Sequence, residues 1–462
     1  MIYCNRGKSP VSNSVGLNRE GDLNTSSQRQ EWIQQLDAKT RSGLQADAAV
    51  FMKQALSTPC MNQLTDADGC YLTDQSGKHY LDFHGNSVHQ IGYKNPYVIE
   101  AVRGQLAELP FIPRRYTADI AVQAAQMLID KTTSGDYMAL FTPSGTAAIG
   151  IALKIARKAT GKHKVISLWE SFHGAGLDSI SVGGEYAFNK DMGPLLPGCI
   201  KTMPYNAYRN LIHSNCPQQV AEFCLDHLEY IIANEGDIGA VLLEPVRATD
   251  THIPPQTYFE RLRRICDQNG ILLIFDEIPT ALGRSGEFYV HQNFGVEPDI
   301  LVLGKGLGGA VIPQAAVLTR TKLDVAQDLS LGHYTHEKPA AGCAAICATI
   351  RYIEAMDLLA NCRHQSAYAK QCAAAMFARY ECIGDIRIMG LLITFEIVQD
   401  RQSKQKDEVL AEKIFYYCLQ HGLSFKLAAG NCITWHPPLI VTRAQLAFAF
   451  TVLKEAIVHC SK

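Results

Sequence analysis

Between about residues 115 and 335, short apolar runs alternate with longer segments of helical periodicity. An apolar run without polar alternation predicts a strand buried on both faces, and a helix between two such strands lets them lie parallel. We therefore expect an α/β fold whose mostly parallel sheet is flanked by helices. The predicted strands are Tyr137–Phe141, Lys164–Leu168, Ala240–Leu243, Ile271–Phe275 and Ile300–Leu303, and the predicted helices include Ala147–Thr160, Gln218–Ala233 and Thr257–Asn269.

The parts of the chain on either side of this region have a different pattern. A polar start rich in Ser, Asn and Gly is followed by a helical stretch near Gln30–Gln54 and then by two short strands near residues 69–74 and 79–83. A long helix is expected from Ala341 to Leu359, with strands near Ile386–Ile397 and Cys432–Trp435. The predicted organisation is a flexible arm (1–28), a smaller α+β domain formed by residues 29–110 and 336–462, and a large domain (111–335).

Composition excludes several classes of protein. The 462 residues are 47% hydrophobic and 19% charged with a formal net charge of −2, which allows a large core and gives no basic surplus for nucleic acid. No apolar run is long enough for a membrane helix, and the first residues do not resemble a signal peptide. Fifteen cysteines without a CxxC pair predict free thiols in a cytoplasmic protein and no metal site. The expected partner is a small molecule.

The carboxyl ends of the predicted strands carry polar residues, and ligands bind there in parallel sheets. Ser144, Gly145 and Thr146 follow the first strand and begin a helix, an arrangement that suits an anion such as phosphate. An ordinary helix cap is the alternative. Phe172 and His173 follow the second strand, where an aromatic ring either stacks on a flat cofactor or packs in the core.

Asp276 and Lys305 follow two further strands. A carboxylate after five apolar residues needs a partner, and a protonated pyridine nitrogen is one such partner. Burial of Lys305 among apolar residues and glycines would lower its pKa and suit a Schiff-base amine. For Asp276 the alternatives are a structural salt bridge and a magnesium ligand, but the GxxxxGK[ST] loop that would accompany the latter is missing.

These motifs resemble the class III aminotransferases, a family of fold-type I pyridoxal-phosphate enzymes. The resemblance extends from about Tyr71 to Leu439, and its most specific segment is DEIPTALGRSGEFYVHQNFGVEPDILVLGKGLGG, residues 276–309. It implies that pyridoxal 5'-phosphate is bound as a Schiff base on Lys305.

The resemblance also implies roles for individual residues. Asp276 would pair with the pyridine nitrogen, with His173 nearby, while Ile278 and Phe172 would cover the two ring faces. Ser144, Gly145 and Thr146 would hold the phosphate. Thr335 matches a threonine that reaches the phosphate from the neighbouring subunit, which implies a homodimer with shared active sites.

Several positions depart from the family pattern. Pro279 stands where the family usually has a glutamine, and Ala147 where it has a glutamate in the phosphate turn. Thr434 stands where many members have an arginine that binds a substrate carboxylate. Because a bidentate arginine contributes strongly to carboxylate recognition, its absence weakens the case for a transaminase that must accept a 2-oxo acid.

Other residues are candidates for substrate recognition. Arg114 and Arg115 form a pair that suits a phosphate, phosphonate or carboxylate, with a pair of surface arginines as the alternative. His84 and Asn86 belong to a segment that lies near the active site in this family. With the segments FHGNSVHQIGY, IPRRYT and HYTHEK, the chain resembles a branch of lyases that act on small amino-phosphonates.

The predicted activity is that of an ammonia-lyase. It would eliminate the β-hydroxyl of a small hydroxylated amino-phosphonate and release ammonia, a reaction that needs no amino acceptor. The alternatives are an ω-amino-acid aminotransferase that uses a 2-oxo acid, a phospho-lyase on a phosphoethanolamine-like substrate, and a cofactor-binding protein without catalytic activity.

Overall fold

A computed structural model describes residues 20–461. The strands are β1 (Leu64–Asp68), β2 (Tyr71–Asp74), β3 (His79–Asp82), β4 (Tyr137–Thr142), β5 (Lys164–Leu168), β6 (Cys199–Thr202), β7 (Ile238–Leu243), β8 (Leu272–Asp276), β9 (Ile300–Leu303), β10 (Ala315–Arg320), β11 (Ile383–Met389), β12 (Leu392–Ile397), β13 (Leu423–Ser424), β14 (Lys426–Ala428) and β15 (Cys432–Trp435). The helices are α1 (Ser27–Gln35), α2 (Ala38–Val50), α3 (Pro96–Glu108), α4 (Asp119–Ile129), α5 (Gly145–Thr160), α6 (Leu177–Val182), α7 (Tyr186–Asn189), α8 (Pro217–Glu235), α9 (Gln256–Asn269), α10 (Ala340–Ala355), α11 (Leu358–Arg379), α12 (Glu408–Gln420) and α13 (Arg443–Cys460).

A seven-stranded sheet in the order β4-β10-β9-β8-β7-β5-β6 forms the centre of the molecule. The strands from β9 to β6 are parallel, and β10 runs antiparallel to both of its neighbours, β4 and β9. Side chains on alternate positions enter two separate cores. Leu242 and Ile274 pack in one core with α5, whereas Val241 and Phe275 pack in the other with α8 and α9. The predicted mostly parallel sheet between two layers of helices is confirmed.

The five predicted strands are all present, but two strands of the central sheet were not expected. The strand β6 contains Lys201 and Thr202 and is not an apolar run. The strand β10 follows Lys305 without a long crossover helix, because an antiparallel neighbour needs no crossover.

Two of the predicted helices are each interrupted. The side chain of Asp37 accepts a hydrogen bond from the N–H of Thr40 and begins α2, so the stretch 30–54 is two helices with a break between them. The helix expected to reach Leu359 ends at Ala355, because Asp357 adopts a left-handed conformation before α11 begins.

Two smaller sheets lie outside the central one. The first, β1-β2-β3-β13, joins early and late parts of the chain, since β3 pairs with β13. The second, β11-β12-β15-β14, is formed by the C-terminal part alone. This pairing agrees with a smaller domain built from both ends of the chain, although the exact domain boundaries remain a prediction.

The predicted flexible arm, residues 1–28, falls partly outside the described residues. Within the described part the arm is packed rather than free. Glu20 is buried, Asp22 accepts a hydrogen bond from the hydroxyl of Tyr416, and α1 begins at Ser27. Burial of these polar groups is possible because each has a partner in the smaller domain or in α1.

None of the helices in residues 20–461 is long and apolar enough to cross a membrane. In the same part of the chain, no three His, Cys, Asp or Glu side chains group together as metal ligands would. All fourteen cysteines that it contains are free thiols.

Candidate active site

A cavity of about 810 Å³ lies at the carboxyl ends of the central strands. The strands β8 and β9 are adjacent and parallel, with Asp276 opposite Val302, so Asp276 and Lys305 emerge at the same edge of the sheet. Both side chains line the cavity, together with Gly145 and Thr146 from the start of α5. The structure therefore brings together the strand-end residues that the sequence singles out.

Asp276 is held in a fixed orientation. Its carboxylate lies 2.8 Å (Oδ2) from Nδ1 of His173 and accepts a hydrogen bond from the N–H of Ile278 at 3.1 Å (Oδ1). The Nε2 atom of His173 is buried and has no partner among the described residues. An aspartate that is oriented in this way can present a negative charge to a cationic group in the cavity.

Lys305 lies deep in the protein and faces the cavity. It follows Gly304, begins the short 3-10 helix Lys305–Gly308, and has a φ of 49°. Burial lowers the pKa of its ammonium group to about 8, while the negative charges of Asp276 and Glu244 partly oppose this change. The amine is therefore available in its neutral, nucleophilic form much nearer to physiological pH than an ordinary lysine.

Glu244 is an active-site residue that the sequence interpretation missed. It directly follows the apolar strand β7, and Asp276 is the last residue of β8; this similar position at a strand end is the signal that could have found it. Burial, opposed by the charge of His173 and increased by that of Asp276, raises the pKa of its carboxyl group. Its Oε2 atom has no hydrogen-bond partner in residues 20–461.

The start of α5 forms one wall of the cavity. Ser144 caps the helix by accepting a hydrogen bond from the N–H of Ala147 at 3.2 Å, and the hydroxyl of Thr146 accepts one from Ala175 at 3.2 Å. A Cβ atom on Gly145 would lie 2.7 Å from Cδ1 of Ile278, so glycine keeps this wall open. Ser144 thus has the capping role that the sequence allowed, while the helix still directs its positive dipole end at the cavity.

The remaining predicted residues fall into two groups. Phe172, Ile278, His84 and Asn86 line the cavity, and the ring of Phe172 packs against that of Phe188 with centroids 4.7 Å apart. Three others are exposed and outside the cavity of their own chain: Thr335, Arg114 and Arg115.

Arg114 is tied to the loop that carries Thr335. Its guanidinium donates to the backbone carbonyls of His333 and Tyr334, at 3.4 Å in both cases. Arg114 and Arg115 do not line the cavity of their own chain, and their predicted role in substrate binding stays a prediction.

Charged residues on the far side of the cavity were also missed. Lys426 begins β14 and pairs with Glu20, whose Oε2 lies 3.4 Å from the lysine Nζ. Glu185 lines the same part of the cavity. Lys426 is the one charged residue in the segment Leu423–Ala428, and this contrast is the signal that could have identified it.

The residues present fit a flat cofactor that has a cationic ring and an anionic phosphate group. Ile278 and Phe172 supply apolar walls, Asp276 a buried negative charge, α5 an anion-binding helix end, and Lys305 an amine. A parallel sheet that directs such a lysine and such a carboxylate into one cavity defines the class of pyridoxal-phosphate enzymes of fold type I.

The family follows from comparison with known proteins. The model of the family "Aminotransferase class-III" matches residues 53–457. The chain belongs to this family of pyridoxal-phosphate enzymes.

Curated relatives cover almost the whole chain. The chain is 45% identical to the (R)-1-hydroxy-2-aminoethylphosphonate ammonia-lyase of Vibrio splendidus (strain 12B01), over 98% of each protein. It is 32% identical to the acetylornithine aminotransferase of Bacillus subtilis (strain 168), over 86% of this chain and 94% of that protein.

Solved structures have the same fold. A PLP-bound amine transaminase from an uncultivated Pseudomonas species superposes with a TM-score of 0.83 at 30% identity, over 89% of this chain and 98% of that one. The taurine:2-oxoglutarate aminotransferase of Bifidobacterium kashiwanohense, in complex with PLP and glutamate, gives a TM-score of 0.85 at 25% identity, over 92% and 98% of the two chains.

Proposed function

We propose that this chain is a pyridoxal-phosphate-dependent ammonia-lyase that converts 1-hydroxy-2-aminoethylphosphonate into phosphonoacetaldehyde and ammonia. The observation that carries the proposal is the 45% identity, over 98% of both chains, to the ammonia-lyase of Vibrio splendidus. Identity to the Bacillus subtilis aminotransferase is 32% over a smaller part of the chain.

The side chains of the cavity have the chemistry that this cofactor requires. Lys305 would hold it covalently, Asp276 would pair with its ring nitrogen, and the start of α5 would bind its phosphate. Once bound, pyridoxal phosphate withdraws electrons from the amine-bearing carbon of a substrate and so acidifies the hydrogen on that carbon.

Lys305 is the proposed base. With the substrate amine held by the cofactor, the free amine of Lys305 would take a proton from the amine-bearing carbon. Burial keeps the pKa of this amine near 8, so a substantial fraction is neutral at slightly alkaline pH and can accept a proton. Glu244 and Asp276 then lie close enough to stabilise the ammonium that forms.

The overall reaction is balanced without a second substrate. The C–H bond of the amine-bearing carbon breaks, its electron pair forms a double bond to the neighbouring carbon, and the C–O bond there breaks as hydroxide leaves and is protonated to water. The resulting enamine takes up one water and yields phosphonoacetaldehyde and ammonia, with no net oxidation and no amino acceptor.

The surroundings of Thr434 support a lyase over an aminotransferase. Thr434 is buried in β15, and its hydroxyl donates to the carbonyl of Thr249 at 2.9 Å. A neutral side chain whose hydroxyl is already bonded offers no charge to a 2-oxo acid, so this position does not supply the carboxylate site that amino transfer would require.

The decisive experiment measures ammonia without any amino acceptor. Purified enzyme with pyridoxal phosphate is given hydroxyaminoethylphosphonate, phosphoethanolamine or an ω-amino acid, with and without pyruvate or 2-oxoglutarate. Ammonia and phosphonoacetaldehyde are expected from the first compound alone. Ammonia that appears only with a 2-oxo acid would establish the aminotransferase, and release of inorganic phosphate from phosphoethanolamine would establish the phospho-lyase. The Lys305→Ala variant is the inactive control.

The assembly and the location of the protein belong to the same proposal. We expect a homodimer in which Thr335, exposed on each chain, reaches the cofactor phosphate in the active site of the other chain. A cytoplasmic location agrees with the free cysteines of the described part of the chain.

A further inference from the structure

An unusual ion pair lies in the active-site cavity. The Nζ atom of Lys426 is 3.4 Å from the Glu20 carboxylate, and Glu20 is itself buried. The side chain of Lys426 is 37% accessible although it lies deep in the protein, because it faces the cavity rather than the outer surface. A contact of 3.4 Å between a lysine and a single carboxylate leaves donors of the ammonium group free for another anion.

Lys426 is close to the catalytic lysine. Its positive charge contributes to the low pKa of Lys305, so the two amines lie within electrostatic reach across the cavity. Two other cationic residues that line or adjoin the cavity are already neutralised. Arg29 contacts Asp22, and Arg247 pairs with Glu170 at 2.6 Å and with Asp250 at 3.0 Å.

The fold fixes the direction of this side chain. Lys426 on β14 is directly opposite Thr434 on β15, and opposite residues of an antiparallel pair project from the same face of the sheet. That face meets Thr249, which also lines the cavity. Of these two opposite residues, Lys426 is charged and Thr434 is neutral. The ammonium group of Lys426 is directed towards the substrate space.

Two acidic residues, Glu20 and Glu185, act on the charge of Lys426. Burial, together with the charge of Glu20, raises the pKa of Glu185, while the positive charges of Lys426 and Arg247 partly oppose this change. Burial opposes the charge of Lys426, but the carboxylates of Glu20 and Glu185 outweigh it and raise the pKa of Lys426. Lys426 therefore stays an ammonium ion at neutral pH and pairs with Glu20.

We propose that Lys426 binds the anionic phosphonate group of the substrate, and that this group replaces the Glu20 carboxylate as the partner of the lysine. A phosphonate offers three oxygen atoms and up to two negative charges, whereas Glu20 offers one charge at a long distance. Glu20 would therefore act as a resident counterion that keeps the site neutral between turnovers. The inference rests on the proposed function for the identity of the anion.

The test measures equilibrium binding rather than turnover. The probe is 2-aminoethylphosphonate, which lacks the hydroxyl group and cannot undergo the elimination, and n-propylamine, an amine without any anionic group, is the control probe. Binding of each amine to the enzyme loaded with pyridoxal phosphate is followed by the change in its visible absorption. The variants are Lys426→Met, Lys426→Arg and Glu20→Gln.

Substitution of Lys426 and substitution of Glu20 should change the affinity for the phosphonate in opposite directions. Lys426→Met should weaken binding of 2-aminoethylphosphonate by about 50-fold or more and leave n-propylamine within about twofold, because only the phosphonate meets the lost charge. Lys426→Arg should restore most of the binding. Glu20→Gln should tighten phosphonate binding several-fold, since it removes the competing carboxylate, without affecting n-propylamine.

Three outcomes would overturn the proposal: equal loss for both probes in Lys426→Met, no loss for either, or weaker phosphonate binding in Glu20→Gln. Glu20→Gln also decides the matter if Lys426→Met does not fold. If the wild-type enzyme releases no ammonia yet still binds the phosphonate through Lys426, the proposed function fails and this inference stands.

Discussion

At the scale of single residues, the site depends on how burial changes the proton affinity of an amine. Water stabilises an ammonium ion strongly, and Lys305 is surrounded by protein instead. Asp276 and Glu244 recover part of that stabilisation but not all of it. In the proposed reaction, these three side chains would make the lysine reactive and would hold the substrate proton after its transfer.

The lowered pKa of Lys305 can be measured directly in protein freed of its cofactor. Because the group titrates near 8 rather than near 10.5, its amine becomes neutral, and hence reactive, as the pH rises through about 8. Labelling of residue 305 by trinitrobenzenesulfonate, followed by mass spectrometry of the peptide that contains it, should show a rate midpoint near pH 8. The Lys305→Ala variant supplies the background, and a midpoint above pH 10 would contradict the prediction.

At the scale of secondary-structure elements, α5 meets the loop after β8 at a close contact between Gly145 and Ile278. A Cβ atom on Gly145 would approach the end of the Ile278 side chain to 2.7 Å, so Ile278, which lines the cavity, must shift to admit it. This contact depends on two elements that are distant in sequence, because α5 packs against β8 and the loop that follows it.

Replacement of that glycine should weaken cofactor retention. Gly145→Ala is expected to raise the dissociation constant of pyridoxal phosphate by about tenfold, since overpacking of this size costs about 1–3 kcal/mol. Fluorescence titration of the cofactor-free protein measures it. Gly104→Ala is the matched control, because nothing lies within 4 Å of its added Cβ in α3 and the change should be neutral or slightly stabilising. Equal affinity in both variants would contradict the prediction.

At the scale of the whole molecule, one chain does not contain every predicted active-site residue within its own cavity. Thr335 is exposed, in a loop whose backbone is held by Arg114. The proposed dimer with shared sites would explain this position, because the threonine would then act on the neighbouring chain.

Mixing two defective chains tests the shared site. Lys305→Ala should be inactive, and Thr335→Val should bind its cofactor poorly. A heterodimer of the two contains one site with Lys305 from one chain and Thr335 from the other, so random exchange of subunits should restore about a quarter of the wild-type activity at limiting cofactor. Activity no greater than that of the Thr335→Val protein alone would exclude the shared site.

The sequence by itself determined the central sheet and the strand-end residues. Apolar runs are local properties of the chain, so they predicted β5 and β9 with their observed bounds and placed Asp276 and Lys305 at neighbouring strand ends. It did not predict β6 and β10, because a short strand with polar residues and an antiparallel return have no comparable local pattern.

Only the tertiary structure decided which distant side chains meet. His173 orients Asp276, Glu244 joins Lys305, and Glu20 reaches Lys426 from the opposite end of the chain. No periodicity or spacing in the sequence predicts these contacts, because each depends on how separate elements pack. The same packing left Arg114 outside the cavity and placed Lys426 inside it, since electrostatic recognition depends on where a charge lies in space rather than on the motif that contains it.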